Sequence, residues 1–315
     1  MAHIRTEPVL VISGPTASGK SDLAIEVAKA LDGEIISADS MQIYRKLDIA
    51  TAKVPESERQ GVPHHLYDIR DPGENYSVAQ FVADATQLIL EILDRGKLPI
   101  VCGGTGLYVH SLLDGLQFVD AVPNPEERKA LSDAIAEEGL AECHAKLARL
   151  DPQAALRINA QDHKRITRFF EVYQATGMTS SEVYEYSRAK GPDFNFLSFV
   201  LWPDRQGLYV RINRRTEHMF DAGIVEELSA VLRDYPDFLE TQAFQAIGYK
   251  EVLPYLEGKA SREEVIAALA QASRRYAKRQ YTMFRSRQDL VRLTGSTQEE
   301  NLASILESIT DFRQK

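Results

Sequence analysis

The sequence predicts an α/β protein: a parallel sheet flanked by helices, carrying an α-helical insertion. Three observations lead there. Short apolar, β-branched runs alternate with helical periodicity through residues 1–118 and resume after residue 195. A glycine-rich turn joins the first strand to the first helix, and from the break at residues 122–125 to about residue 190 the signals are all helical. The expected organisation is a core domain built from 1–118 and 195–315, interrupted by a helical domain at 119–194.

Val9 to Ile12 is bounded by Ser13-Gly14-Pro15 and reads as a buried strand. From Ser21 to Leu31 the residues Leu23, Val27, Ala30 and Leu31 share a helical face, and Gly33 supplies a stop. Glu34 to Ala38 is the second strand. The loop from Asp48 to Gly61 is polar; His65 to Ile69 predicts another short strand, closed by Asp71-Pro72-Gly73. Ser77 and Gln80 have the spacing of a capping box. The helix behind them gathers Val78, Phe81, Val82, Ala85, Leu88, Ile89 and Ile92 on one face and ends at Arg95 and Gly96. Pro99 to Cys102 is a strand running into Gly103-Gly104.

Val122-Pro123-Asn124-Pro125 then breaks the pattern, with Pro125 suited to a first helical position. Asp151-Pro152 and Asp162 start helices and Gly177 stops one. Phe196 to Trp202 is the last predicted strand. Helices follow through Arg211, Met219 and Gly223, and Ser261 with Glu264 opens a helix that extends past Arg279.

Bulk composition narrows the class. With 44% hydrophobic and 26% charged residues, the 315-residue chain has the make-up of a soluble globular protein. No apolar run is long enough to span a membrane, and the N-terminus lacks a secretory core, so a cytoplasmic protein is expected. Two cysteines, Cys102 and Cys143, fit packing positions better than a disulfide framework or a zinc site. The net charge of −9 argues against indiscriminate nucleic-acid binding but leaves room for a local basic face.

Gly14-Pro15-Thr16-Ala17-Ser18-Gly19-Lys20-Ser21 matches G-x-x-x-x-G-K-[ST] in full, after a strand and at the opening of a helix. The glycines allow a turn whose backbone N–H groups point inward as an anion nest. The helix start adds unsatisfied donors and the positive dipole end. Lys20 reaches a terminal phosphate, and the Ser21 hydroxyl suits a Mg²⁺ bridging phosphate oxygens. The core is therefore P-loop NTPase-like. Such a cradle recognises a diphosphate and does not by itself name a reaction. Kinases of this type carry an acid after a second apolar strand, where this chain has Gly103-Gly104-Thr105; Asp39, after Ile35 to Ala38, is the better-placed acid. On composition and spacing alone a small-molecule kinase stays open.

Seven segments in order resemble the tRNA dimethylallyltransferase (tRNA isopentenyltransferase) family. They are Gly14–Ser21, Gly33–Arg45, Asp48–Lys53, Pro63–His65, Gly103–Tyr108, Ala246–Glu251 and Tyr276–Gln280. The phosphate loop is generic, whereas Ser37-Ala38-Asp39-Ser40-Met41-Gln42 and Gly103-Gly104-Thr105-Gly106-Leu107-Tyr108 are much more specific. The resemblance implies attack by the exocyclic N6 of the adenosine 3′ of the anticodon on C1 of dimethylallyl diphosphate, with diphosphate leaving. It implies Asp39 as the carboxylate that accepts the amine proton; the alternative is an aspartate that caps the following turn. Thr105 and Arg211 are the implied assistants at the diphosphate, against an ST-turn hydroxyl and a solvated helix charge.

The resemblance also implies a tRNA anticodon stem-loop as partner. Asp39, Ser40, Met41 and Gln42 would surround the target base, with Thr105 beside them. Gln161, Asp162, His163, Lys164 and Arg165 would grip the loop, and Arg128 resembles a further contact. Near the C-terminus Arg274, Arg275, Lys278, Arg279, Arg285, Arg287 and Arg292 crowd one stretch, with Tyr276, Tyr281 and Phe284 interleaved as stacking planes and Gln280 among the contacts. The target base must leave its stack, so a channel open at both ends and meeting near Asp39 is expected. His64-His65 has no third ligand at metal spacing and reads as structural. Ala50 and Phe284 stand where the family commonly has glycine and tryptophan, and no zinc finger of the eukaryotic type is present. No obligate protein partner is evident. An adenylate isopentenyltransferase acting on free AMP, ADP or ATP is the nearest rival; the insertion and Gln161–Arg165 favour tRNA.

Overall fold

The computed structural model describes residues 5–119 and 125–314. The chain opens with β1 (Arg5–Ser13), α1 (Lys20–Leu31), β2 (Gly33–Ser37), β3 (His64–His65), α2 (Val78–Asp94), β4 (Leu98–Gly103) and α3 (Gly106–Leu113). Five helices follow: α4 (Pro125–Glu138), α5 (Leu140–Leu150), α6 (Pro152–Arg157), α7 (His163–Thr176) and α8 (Ser180–Arg188). The sheet resumes at β5 (Phe194–Leu201). Then come α9 (Arg205–Asp221), α10 (Ile224–Asp234), α11 (Tyr249–Leu256), α12 (Arg262–Arg285), β6 (Val291–Leu293) and α13 (Gln298–Arg313). Two compact units result, residues 1–113 with 193–315, and residues 114–192. The expected break at Val122 to Asn124 lies outside the described residues.

In the first unit the strands form one parallel sheet in the order β3-β2-β4-β1-β5-β6. Period-two alternation loads both faces. Leu10, Ile12, Ile35, Ile100 and Phe199 pack with Leu23 and Val27 of α1 and Ile305 and Ile309 of α13. Val9, Val11, Ile36, Val101 and Val200 pack on the other face with Phe81 and Ile89 of α2, Leu228 of α10 and Leu269 of α12. Each such side chain, taken fully out of water, contributes about 1.5–3 kcal/mol. The second unit has its own small core of Ile135, Cys143, Leu147, Ala154, Ile166 and Phe169.

Helix starts follow the sequence signals. Ser77 and Gln80, and Ser261 and Glu264, close capping boxes at α2 and α12. Asp151 and Asp162 cap α6 and α7 through the Ala154 and Arg165 N–H groups, and Gly177 ends α7 in the left-handed region.

Two expectations are corrected and one strand is added. Asp32, with φ 49°, ends α1, and Gly33 already belongs to β2. The predicted strand His65 to Ile69 shrinks to His64–His65, because Leu66 and Asp68 take φ values of 63° and 57° that no strand tolerates. β6, with two of its three residues exposed, was not foreseen.

The strand register brings the site together. Ser13 pairs with Gly103 and with Val200, and Ser37 pairs with Cys102, so the carboxyl ends of β1, β2, β4 and β5 lie level. Ligands of open α/β sheets bind at that edge. The phosphate loop, the Asp39 turn and Gly104-Thr105 all leave the sheet there.

Candidate active site

The phosphate loop is the first element at this edge. Gly19 sits at the N-cap of α1 with φ 85°, a value costly for any residue with a Cβ. The Ser18 N–H donates to Pro15 O at 3.3 Å, and Arg211 Nε donates to Ala17 O at 3.0 Å. Arg211 therefore clamps the outside of the loop. At the opening turn of α1 the backbone N–H groups have no intrahelical acceptor and are available to an anion. Over this loop lies a cavity of about 310 Å³, lined by residues 16 to 22, Asp39, Thr51, Lys53, Glu58 and Arg215 among others.

Asp39 follows β2 after one residue, Ala38. It can stand there because β4 comes very close: a Cβ on Gly103 would fall 2.2 Å from Ala38 O. Asp39 Oδ1 accepts the Met41 N–H at 2.9 Å, which sets the turn. The Ser40 N–H donates to Thr105 Oγ1 at 3.0 Å, and the Thr105 hydroxyl is 3.3 Å from Ser40 Oγ. Thr105 thus holds the Asp39-Ser40 turn. Gln42 is also engaged: Ser37 Oγ donates to its Oε1, and its Nε2 donates to Thr51 O and Ala52 O.

A second cavity, of about 170 Å³, adjoins the first. Its wall is formed by Ser40, Met41, Ala50, Met219, Gln245, Ile247, Leu269, Ser273, Tyr276 and Arg279. The two cavities share Thr16, Asp39, Thr51 and Arg215. Asp39 therefore stands where the cavity over the phosphate loop meets a second one of mixed polar and apolar lining. Burial pushes the Lys20 ammonium below the usual lysine range, an effect that nearby Asp39 opposes. Arg215 is shifted down by burial in the same way, again with Asp39 opposing. Burial raises the Cys102 thiol to about 12, which leaves it a packing group under the loop.

Arg215 had no sequence expectation. It is one helical turn past Arg211 on α9, and only its position beside the buried stripe Leu208, Ile212, Thr216 and Met219 hints that it turns inward. Gln280 needs correction. Expected at an RNA surface, it is 4% exposed. Its Oε1 accepts the Thr16 N–H at 2.8 Å and its Nε2 donates to Gly104 O at 2.9 Å. Phe284, expected as an exposed stacking plane, is 1% exposed in the core, and Tyr281 is half-buried with its hydroxyl on Pro203 O. Both lie on the inward side of α12, whereas Arg275, Lys278, Arg279 and Arg285 are exposed on it. Arg274 instead reaches back to Asn213 Oδ1, and Arg292 lies over the Trp202 ring.

In the second unit, Gln161, Lys164 and Arg165 are exposed at the start of α7. Asp162 serves as the helix cap, and His163 Nε2 lies 3.4 Å from Ser132 O. Arg128 pairs with Glu171, as does Arg168. At the sheet's amino edge, His65 Nε2 lies 2.7 Å from Glu34 Oε2 and His64 Nδ1 is 2.9 Å from Val62 O.

Comparison with known proteins fits this geometry. The sequence profile of the family described as IPP transferase matches residues 42–287, and one described as isopentenyl transferase matches residues 7–70. A tRNA dimethylallyltransferase of Carboxydothermus hydrogenoformans is 46% identical over 280 residues, 89% of each chain. The crystal structure of a tRNA isopentenylpyrophosphate transferase from Bacillus halodurans superposes with a TM-score of 0.71 at 38% identity, covering 98% of both chains. A eukaryotic dimethylallyltransferase described as acting on tRNA gives a TM-score of 0.80 at 29% identity, over 97% of this chain and 79% of that one. With the profile spanning most of the sequence and a relative 46% identical over 89% of the chain, the chain belongs to the IPP transferase family.

Proposed function

We propose that this protein transfers a dimethylallyl group from dimethylallyl diphosphate to N6 of the adenosine 3′-adjacent to the anticodon of tRNA, releasing diphosphate. The observation that carries the reading is Asp39 at the junction of the two cavities, within the field of Lys20 and Arg215. The diphosphate lies in the phosphate loop, held by the N–H groups at the start of α1 and by Lys20. The adenine approaches through the second cavity, past Ser40 and Met41.

The chemistry balances at these residues. The N6 lone pair forms a bond to C1, the C1–O bond breaks, and its electron pair leaves with the diphosphate. The N6 proton passes to Asp39. An adenine amine is a weak nucleophile, and a positioned carboxylate base contributes about 10²–10⁴-fold. Lys20, Arg215 and the loop N–H groups stabilise the charge that develops on the leaving oxygen. Thr105 acts through the Ser40 turn and Arg211 through the Ala17 carbonyl.

Mg²⁺ fits this donor set. Among the described residues no three His, Cys, Asp or Glu side chains converge as a metal site. Ser21 lines the cavity over the phosphate loop, and its hydroxyl and phosphate oxygens of the substrate would hold the ion. When bound it supplies Lewis-acid neutralisation of the diphosphate. Among the described residues no helix is long and apolar enough to cross a membrane. The reading sets the reaction in the cytoplasm, where tRNA is found.

Incubation with tRNA, dimethylallyl diphosphate and Mg²⁺, followed by mass spectrometry of the nucleosides, tests the proposal. N6-(dimethylallyl)adenosine in tRNA is the expected product. Prenylation of AMP and not of tRNA would replace it with the free-nucleotide enzyme, and loss of an ATP γ-phosphate to a small acceptor would replace it with a kinase.

A further inference from the structure

Gln280 is a neutral side chain on a helix whose exposed neighbours are cations, yet it is tied to the phosphate loop. It falls on the buried stripe of α12 with Leu269, Ser273, Ala277 and Phe284. Its two amide ends meet an N–H that can only donate, Thr16, and a carbonyl that can only accept, Gly104. The orientation of the amide is thus fixed by its partners. Gly104 leaves the room: a Cβ there would lie 2.3 Å from Gln280 Nε2. The Tyr276 hydroxyl borders the same amide and Thr105.

Several backbone groups of the loop are held by protein contacts. Pro15 has no N–H, the Thr16 N–H is taken by Gln280, and the Ser18 N–H is taken by Pro15 O. The Ala17 carbonyl is held by Arg211. Protein contacts thus hold the Pro15–Ser18 stretch of the loop, and the N–H groups at the opening of α1 stay available to an anion. From this we infer that Gln280 is a positioning residue for the diphosphate. It fixes the Thr16 end of the loop against Gly104, so that the remaining N–H groups converge on one ligand. The inference rests on the diphosphate-binding role proposed above. A carboxylate at this position would oppose the Gly104 carbonyl and face the anion with negative charge. An apolar side chain would leave the buried Thr16 N–H without a partner.

The test uses the full chain and magnesium pyrophosphate as probe, with calorimetric affinities for wild type, Gln280→Met and Gln280→Glu, and with tRNA affinity measured in parallel. Gln280→Met is expected to weaken pyrophosphate binding about tenfold, the equivalent of one lost buried hydrogen bond. Gln280→Glu should weaken it further and regain part of the loss as the pH falls from about 8 to about 6, because burial raises a carboxyl and its protonated form can both accept and donate. The other charged groups on the same cavity wall, Lys20, Asp22, Asp39, Lys53, Glu58 and Arg215, and the Tyr276 hydroxyl beside the amide, are common to both proteins, so the variant is read as a ratio to wild type at each pH. tRNA affinity should not change. Thermal melts establish that the variants are folded; should the Met variant melt early, Gln280→Asn keeps the amide but shortens its reach. Equal pyrophosphate affinity in folded variants overturns the role of Gln280, as does a loss confined to tRNA. A wild-type chain that binds no pyrophosphate sinks the diphosphate reading itself, and this inference with it.

Discussion

Asp39 has two oxygens with different tasks. Oδ1 holds the turn through the Met41 N–H, while Oδ2 has no protein hydrogen bond among the described residues. The capping role and the proton-accepting role therefore coexist in one side chain. Asp39→Asn keeps an acceptor for Met41 and removes the base. It should lower kcat by about 10²–10⁴-fold while diphosphate binding survives, as measured by single-turnover kinetics beside a binding titration. Unchanged turnover would take Asp39 out of the mechanism. Lys20 gives a second test, on pH. Its charge is needed at the leaving group, and burial moves its deprotonation below the free-lysine value of 10.5. Activity should fall as the pH rises through that lowered pKa, and Lys20→Arg should remove this alkaline limb even though its plateau is lower. A limb that persists in the arginine variant belongs to another group.

Elements explain why some of this was legible beforehand. β1, β2, β4 and β5 announce themselves as β-branched or apolar runs, and the phosphate loop and the Asp39 turn follow them at fixed offsets. β3 was overestimated because residues 66–69 look like a strand, whereas Lys53 Nζ gathers Asp48, Asp68 and the Tyr44 carbonyl and bends the chain. Arg215, Gln280 and Phe284 were misplaced or missed for one reason: each belongs to a helix rich in cations, and only tertiary packing decides which side chains turn in. The amino edge of β2 carries its own prediction. Burial alone would raise the Glu34 carboxyl, but the bonds from Arg95 and His65 prevail and hold it below the usual glutamate range. A depressed carboxylate contributes stability above its unfolded pKa, near 4.5, and loses it as the pH falls through the lower folded value. Glu34→Gln should therefore destabilise the protein by about 1–2 kcal/mol near neutral pH, and the difference from wild type should close as the pH drops below about 4. Thermal melts across that range decide it; a gap that stays constant with pH would show a packing effect and not a charge effect.

At the scale of the whole molecule, charge must do two opposed things. The chain is acidic, with a net charge of −9, and yet its proposed substrate is a polyanion. Long-range attraction cannot supply the affinity, so local cation rows must. On α12 the exposed Arg275 and Lys278 stand on the face opposite the buried stripe, and neither lines the two cavities. They are therefore suited to contact backbone phosphates without touching the reacting atoms. Phosphate contacts release counterions, so each one steepens the salt dependence of binding in proportion. Replacing Arg275 and Lys278 together with alanine should reduce the slope of log Kobs against log salt by about 1.5. It should raise KM for tRNA and leave kcat at saturating tRNA, and the affinity for pyrophosphate, unchanged. Filter binding at several salt concentrations reads the slope directly. A slope identical to wild type would move the RNA contact elsewhere, to the exposed Gln161, Lys164 and Arg165 at the start of α7, where the same measurement can be repeated one side chain at a time.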